Sequence, residues 1–244
     1  MTKLYEAGDH ILLCAAYADP AEHRHMAAHI ILAMKGEIMV TAEGEVRMCR
    51  GVMIPSGVSH RVETKGNPVL VFLYDSATNV ARRISRMEYL SAEICDTITA
   101  AYLEFEKTGM AEAYGVFEKI FLCHIAMESP AYCVTDKRVL EAIAHIRENL
   151  SEKLLCQNVA ASVFLSEGRF SHLFREQTGM PFASYLIYQR LMYVYGEILR
   201  GKSITEAALA AGFSSSAHFA DVNRRVFGLS AGNITRNMVF CKVR

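Results

Sequence analysis

The sequence contains no tryptophan, only five prolines and no long apolar stretch. Nothing approaches the ~20 consecutive apolar residues that span a bilayer, so no membrane segment is expected. The longest early apolar run, Ile11 to Ala16, follows Glu6 and Asp9 and does not resemble a secretory leader, so a cytoplasmic location is expected. There is no CxxC, HExxH, GxSxG or glycine-rich phosphate loop. Those absences remove the common zinc-finger, zincin, hydrolase and nucleotide-binding signatures. The seven cysteines are odd in number and widely spread, which argues for reduced thiols and against a disulfide framework. Net charge is zero.

What is present divides in two. Residues 137–244 carry 14 basic and 8 acidic side chains; with 26 of each in the chain, residues 1–136 hold the remaining 12 and 18. An acidic front and a basic back suggest two domains, the second able to approach a polyanion. With 52% hydrophobic and 21% charged residues, both should be globular rather than disordered.

Residues 1–75 read as short strands. Gly36, Gly44, Gly51, Gly57 and Gly66 punctuate apolar runs every 6 to 9 residues, the texture of an all-β sandwich or barrel. Beyond Asn79 the period changes. Ile84, Met87, Leu90, Ile94, Ile98, Tyr102 and Phe105 step by three or four and predict one long amphipathic helix ending at Gly109. A second helix follows, with Val116, Phe117, Ile120, Phe121 and Ile125 on its apolar side. The segment "MESPAYCVTDK" (127–137) reads as a linker. Asp136 then caps a helix carrying Val139, Leu140, Ile143 and Ile146, and from there the chain reads as all helix.

The back half repeats itself. "NVAASVFLSEGRFSHLFREQTG" (158–179) matches "AALAAGFSSSAHFADVNRRVFG" (207–228). Phe170, Leu173 and Gly179 correspond to Phe219, Val222 and Gly228 at an offset of 49, and Ala160 to Ala208 at 48, so the second turn is one residue longer. A short helix rich in small residues, a tight turn and a serine-capped second helix make a helix-turn-helix pattern. On pattern alone, an ordinary helical bundle fits as well.

The residues themselves are more specific. "LSEGRFSHLFREQTGMPFASYLIYQRL" and "GKSITEAALAAGFSSSAHFADVNRRVFGLS" resemble the two motifs of the arabinose-regulator (AraC/XylS) family of bacterial transcription factors. The resemblance runs from near Asp136 to Arg236. It implies two helix-turn-helix units joined by a rigid helix at about Phe182 to Leu199, with both recognition helices in successive major grooves of promoter DNA. Carried over by position, the DNA-facing residues are Gly168, Arg169, Ser171, His172 and Arg175 in the first motif. In the second they are Ser216, Ala217, His218, Asp221, Arg224 and Arg225. Three departures stand out: Asn223 replaces a core phenylalanine, Asp221 replaces a residue often basic, and "LSAGNITR" lacks the usual proline. The first motif is therefore expected to carry most of the sequence reading.

In the same family the front half is often a cupin-type β-barrel followed by dimerising helices. "HRHMAAHIILAMKG" resembles the first cupin motif, with His23, His25 and His29 at the ligand positions, and "GVMIPSGVSH" resembles the second, ending at His60. If "EHRHMAAH" is a strand, its three histidines share one face. The resemblance implies an effector pocket at His23, His25, His29 and His60. Three readings stay open: a divalent metal (zinc, nickel, copper or iron), an organic ligand, or no ligand. The expected organisation is a cupin-like sensing barrel at 1–80, a helical dimerisation region at 81–127, a linker at 128–136 and a double helix-turn-helix domain at 137–244. The expected function is a dimeric, effector-responsive transcription regulator, an activator by family analogy, with DNA, a small-molecule effector and RNA polymerase as partners and no catalytic residues. The alternative is a metal-dependent cupin enzyme with helical appendages.

Overall fold

A computed structural model describes residues 2–7, 10–16, 21–24, 27–110, 112–126, 134–227 and 238–243. The chain divides into two compact units, Met1–Ala131 with Val226–Arg244, and Tyr132–Arg225.

The first unit is built from strands β1 (Thr2–Glu6), β2 (His10–Ala15), β3 (Ala28–Ala33), β4 (Ile38–Ala42), β5 (Glu45–Cys49), β6 (Gly51–Ile54), β7 (His60–Glu63), β8 (Val69–Tyr74), β9 (Glu88–Leu90) and β10 (Met238–Lys242). A larger sheet runs β10-β1-β2-β8-β3-β6-β9 and a smaller one β5-β4-β7. The expected barrel is not closed by strand pairing. Among the described residues β5 pairs only with β4, and Glu45, Val46, Arg47 and Met48 are exposed along it.

β3 (AHIILA) and β8 (VLVFLY) are buried at every position, so they read as continuous apolar runs rather than alternating ones. Ile30, Leu32, Leu70, Phe72 and Tyr74 join a core with helices α2 (Ala92–Thr108) and α3 (Glu112–His124). Without tryptophan, this core is filled by phenylalanine and tyrosine: Phe72 stacks on Phe121 with ring centroids 3.8 Å apart, and Phe105, Tyr114 and Phe117 crowd around them. On the opposite face of β3, His29 reaches His60 of β7 and so links the two sheets.

The long helix predicted from Ile84 is broken. A short helix α1 (Asn79–Arg83) ends at Ile84, β9 follows and pairs with β6, and α2 starts only after Ser91, whose Oγ accepts from the Ile94 N–H at 3.2 Å. The periodicity ran through two starts because a serine cap outweighs apolar spacing. Gly109 ends α2 in the left-handed conformation, as expected. Phe117, Phe121 and Ile125 are buried on the apolar side of α3 as expected and Leu122 joins them, but Val116, predicted on that side, is 63% exposed. Leu140 is likewise exposed rather than buried. Nor is the back half all helix, since the chain returns as β10 beside β1.

The second unit contains α4 (Lys137–Glu148), α5 (Cys156–Ser162), α6 (Glu167–Thr178), α7 (Phe182–Leu199), α8 (Ile204–Ala210) and α9 (Ser216–Phe227). Asp136 caps α4 as expected, accepting from the Arg138 N–H at 2.9 Å. Phe170, Phe174, Phe182 and Tyr185 pack edge-to-face around α6 and the start of α7. Tyr195, Phe213 and Phe219 do the same between α7 and α9. Arg190 of α7 donates to the Leu150 and Glu152 carbonyls at 3.1 and 2.7 Å.

The α8–α9 turn passes close to that arginine. A Cβ on Gly212 would lie 2.6 Å from the Leu150 carbonyl oxygen and 2.8 Å from an Arg190 guanidinium nitrogen, and Gly212 has φ +79°. The equivalent turn residue of the first motif is Phe164, which takes φ 58° and is almost fully exposed. A non-glycine residue in that region is strained by about 1 kcal/mol or more. Gly212→Ala is expected to cost about 2 kcal/mol, and Phe164→Asn to stabilise by on the order of 1 kcal/mol. Thermal unfolding of the two variants should therefore shift in opposite directions.

Candidate nucleic-acid interface and histidine cluster

The two helix-turn-helix motifs are assembled by local rules. Ser166 caps α6, accepting from the Arg169 N–H, and Gly179 ends it at φ 78°. Ser203 and Glu206 form a reciprocal capping box at α8. Phe170, Leu173 and Phe174 bury one side of α6, and the predicted residues Gly168, Arg169, Ser171, His172 and Arg175 are all exposed on the other. In α9, Phe219 and Val222 are buried, while Ala217, His218, Asp221, Arg224 and Arg225 are exposed and Ser216 is half-buried.

Several of these side chains have partners that the sequence did not reveal. The Ser171 hydroxyl lies 3.3 Å from the Cys156 thiol at the start of α5. His172 sits 3.8 Å from Glu176, one turn on. His218 Nδ1 accepts from the Ser214 backbone N–H at 3.4 Å and lies 3.0 Å from its hydroxyl. With Nδ1 accepting from that N–H, Nε2 is the ring's donor. Such a donor matches the acceptors on a guanine edge.

Asn223, the departure at a core position, is fully buried and accepts a hydrogen bond from the Tyr195 hydroxyl. Burial pushes that phenol far above its ordinary range. The pair replaces an apolar contact between α7 and α9 with a satisfied polar one. Only the joint reading of two positions 28 residues apart could have found it.

"EHRHMAAH" is not one strand. His23 forms an isolated bridge with His60, β3 begins only at Ala28, and His25 lies outside the described residues. Three of the four predicted histidines still meet. His29 Nδ1 is 3.2 Å from His60 Nε2, and the His23 and His60 rings are 4.6 Å apart. His60 Nδ1 donates to the Val58 carbonyl at 2.9 Å, and His23 Nδ1 to that of Ala21 at 2.8 Å. Burial lowers the His60 value to about 4, with His23 adding to the effect and the Val58 bond opposing it; burial also lowers His23. The His29 and His60 rings are joined by a hydrogen bond, and the His23 ring lies beside that of His60. Among the described residues no group of three or more His, Cys, Asp or Glu is placed to hold a metal ion.

A second histidine site escaped the sequence. His10 is buried on the sheet, with Nε2 2.6 Å from the Tyr114 hydroxyl and Nδ1 3.7 Å from the Glu118 carboxylate. It stacks on Tyr74 at 4.5 Å. Nothing in the local spacing around His10 signals partners more than a hundred residues away.

Comparison with known proteins fits this geometry. A helix-turn-helix domain model matches residues 159–237. Over 87 residues, 35% of each chain, the sequence is 30% identical to the probable transcriptional regulator LumQ of Photobacterium leiognathi. Over 93 residues it is 30% identical to the regulatory protein PocR of Salmonella typhimurium, covering 38% of this chain and 31% of that one. The chain carries a helix-turn-helix domain of the AraC/XylS type. The match to these relatives spans only about a third of their length. The AraC/XylS-type domain is not isolated, however. Apo ToxT of Vibrio cholerae shares the fold over 93% of this chain and 97% of its own, with a TM-score of 0.64 at 12% identity. A fatty-acid-bound ToxT structure gives 0.59 at 11% identity over 92% and 94%. The β-rich unit in front of the AraC/XylS-type domain therefore belongs to the shared fold. Among the described residues no helix is long and apolar enough to cross a membrane.

The buried histidines have a consequence for stability. His60 ordinarily titrates near 6.5 and is held at about 4 in the folded chain, so the unfolded chain takes up the proton first. Its contribution is complete above the ordinary value and is lost as pH falls towards 4, at about 1.4 kcal/mol per pH unit. Denaturant midpoints should fall across that window. His60→Gln should flatten the slope, and an unchanged slope would reject His60 as its source.

Proposed function

We propose that this chain is a sequence-specific, effector-responsive transcription regulator rather than an enzyme. The observation that carries the reading is the pair of capped recognition helices, α6 and α9, each with one buried and one solvent-facing side. In this reading each helix enters a major groove. Arg169 and Arg175 neutralise phosphate, Ser171 and His172 face base edges, and Ser216, Ala217 and His218 face those of the adjacent groove. Asp221 would repel phosphate unless it accepts from a cytosine amine, and Arg224 and Arg225 offset it from the next turn. RNA polymerase is the partner expected of a promoter-bound regulator.

A gel shift against promoter fragments selected from random duplex should show binding that weakens steeply with salt. His172→Ala should lose about tenfold or more, in line with ~1–3 kcal/mol for a base contact. Asp221→Ala should lose less. An equal or larger loss for Asp221→Ala would show that the second motif, not the first, reads most of the sequence.

The β-rich unit is assigned the sensing role. ToxT, which shares its fold, is described bound to an unsaturated fatty acid. We place a small organic effector in this unit, near the cluster of His23, His29 and His60, in a cupin-like arrangement of its two sheets. Residues 128–136 link it to the DNA-binding domain. α2 and α3 bury their aromatic sides on their own sheet, and Leu103 of α2, Val116 of α3 and Met110 between them remain exposed. A homodimer through those exposed side chains completes the reading, and light scattering should give twice the chain mass. Calorimetric titration of the full chain with zinc, nickel and an unsaturated fatty acid separates the effector classes. Heat with the fatty acid alone is the expected result; stoichiometric heat with either metal would favour the metal reading instead.

A further inference from the structure

We propose that the edge of β1 is a docking strand for the chain's own C-terminal segment. On this proposal β10 is a releasable second tie between the β-rich unit and the DNA-binding domain, the first being the linker. The inference does not depend on DNA binding.

β10 pairs with β1 in parallel over the full five residues, Thr2 with Met238 through Glu6 with Lys242. The Val243 N–H extends the ladder to the Glu6 carbonyl at 3.0 Å. Cys241, opposite Tyr5, and Val243 pack against the core of the first unit. The strand thus belongs to the first unit, while the helix it follows, α9, is the second recognition helix. Only residues 228–237 separate them, a reach of at most ~35 Å.

The sequence agrees with this use. Residues 228–243 contain no proline, so every backbone N–H can donate, and "MVFCKV" (238–243) is rich in strand formers. This is the stretch that departs from the family pattern. The tie is also built to open. Parallel pairs are weaker per residue than antiparallel ones, β10 lies at the sheet edge, and Val239 is 38% exposed. Edge segments with few buried side chains open well below the free energy of global unfolding. Released, β10 would free the C-terminal end of α9 and leave the β1 edge unpaired.

The test uses the full chain with a protease site placed in the linker at 127–133. After cleavage, the two pieces should co-elute in size exclusion. Deleting 238–244, or introducing Cys241→Lys beside Tyr5, should abolish co-elution. In a second arm, Lys3→Cys with Val239→Cys places two thiols at paired register positions, within the ordinary range for a disulfide. Oxidation should join the cleaved pieces on a denaturing gel. The idea fails if the unaltered pieces separate, if the truncated pieces stay together, or if no cystine forms. A cystine joining two copies of the chain would also overturn it, because β1 would then receive the strand of a neighbour.

Discussion

The geometry of the DNA-binding domain rests on one guanidinium. Arg190 projects from the middle of α7, donates to the Leu150 and Glu152 carbonyls ahead of the first motif, and lies against the Gly212 turn of the second. An arginine is always charged and its donors are fixed in a plane, so it holds two backbone segments at set distances as a lysine could not. Desolvation lowers its value, and the two carbonyls compensate for the lost hydration. Because α7 is a single helix of 18 residues, about 27 Å long, the separation of the two motifs is set by its length and their rotation by this contact. The Tyr195–Asn223 pair adds a second fixed point on α9.

The β-rich unit is organised differently. Its central strands are buried on both faces. One face meets a largely aromatic helix layer, and the other carries polar imidazoles where the two sheets approach. Polar groups recur even in the aromatic layer. Tyr5 and Tyr102 donate to Glu106, which also pairs with Lys3, and His10 meets Tyr114 and Glu118. A core with this many satisfied polar contacts is specified in register more tightly than an aliphatic one, since a slip would leave several groups unpaired.

How much of this could be read from sequence depended on range. The helix-turn-helix units were legible because caps, turn glycines and apolar spacing are local, and the repeat offered two copies to compare. The meeting of His23, His29 and His60 was legible only through the cupin resemblance, since the strand assumed for "EHRHMAAH" did not form. Asn223 looked like a defect because its partner lies on another helix. The break before α2 was missed because β9 exists only by pairing with β6, and three residues carry no period of their own. β10 was invisible for the same reason: a five-residue segment becomes a strand only when an edge is available to receive it.

That last strand also sets an order of events. β10 follows its neighbour β1 by more than two hundred residues, so the pairing is a very long-range one. During synthesis the front half can collapse, and the helices can form, long before β10 leaves the ribosome. Throughout that interval β1 presents an open edge to whatever is nearby. The sheet is thus completed only after both units have been synthesised, and a nascent chain stalled before β10 would remain adhesive at the very edge that β10 covers.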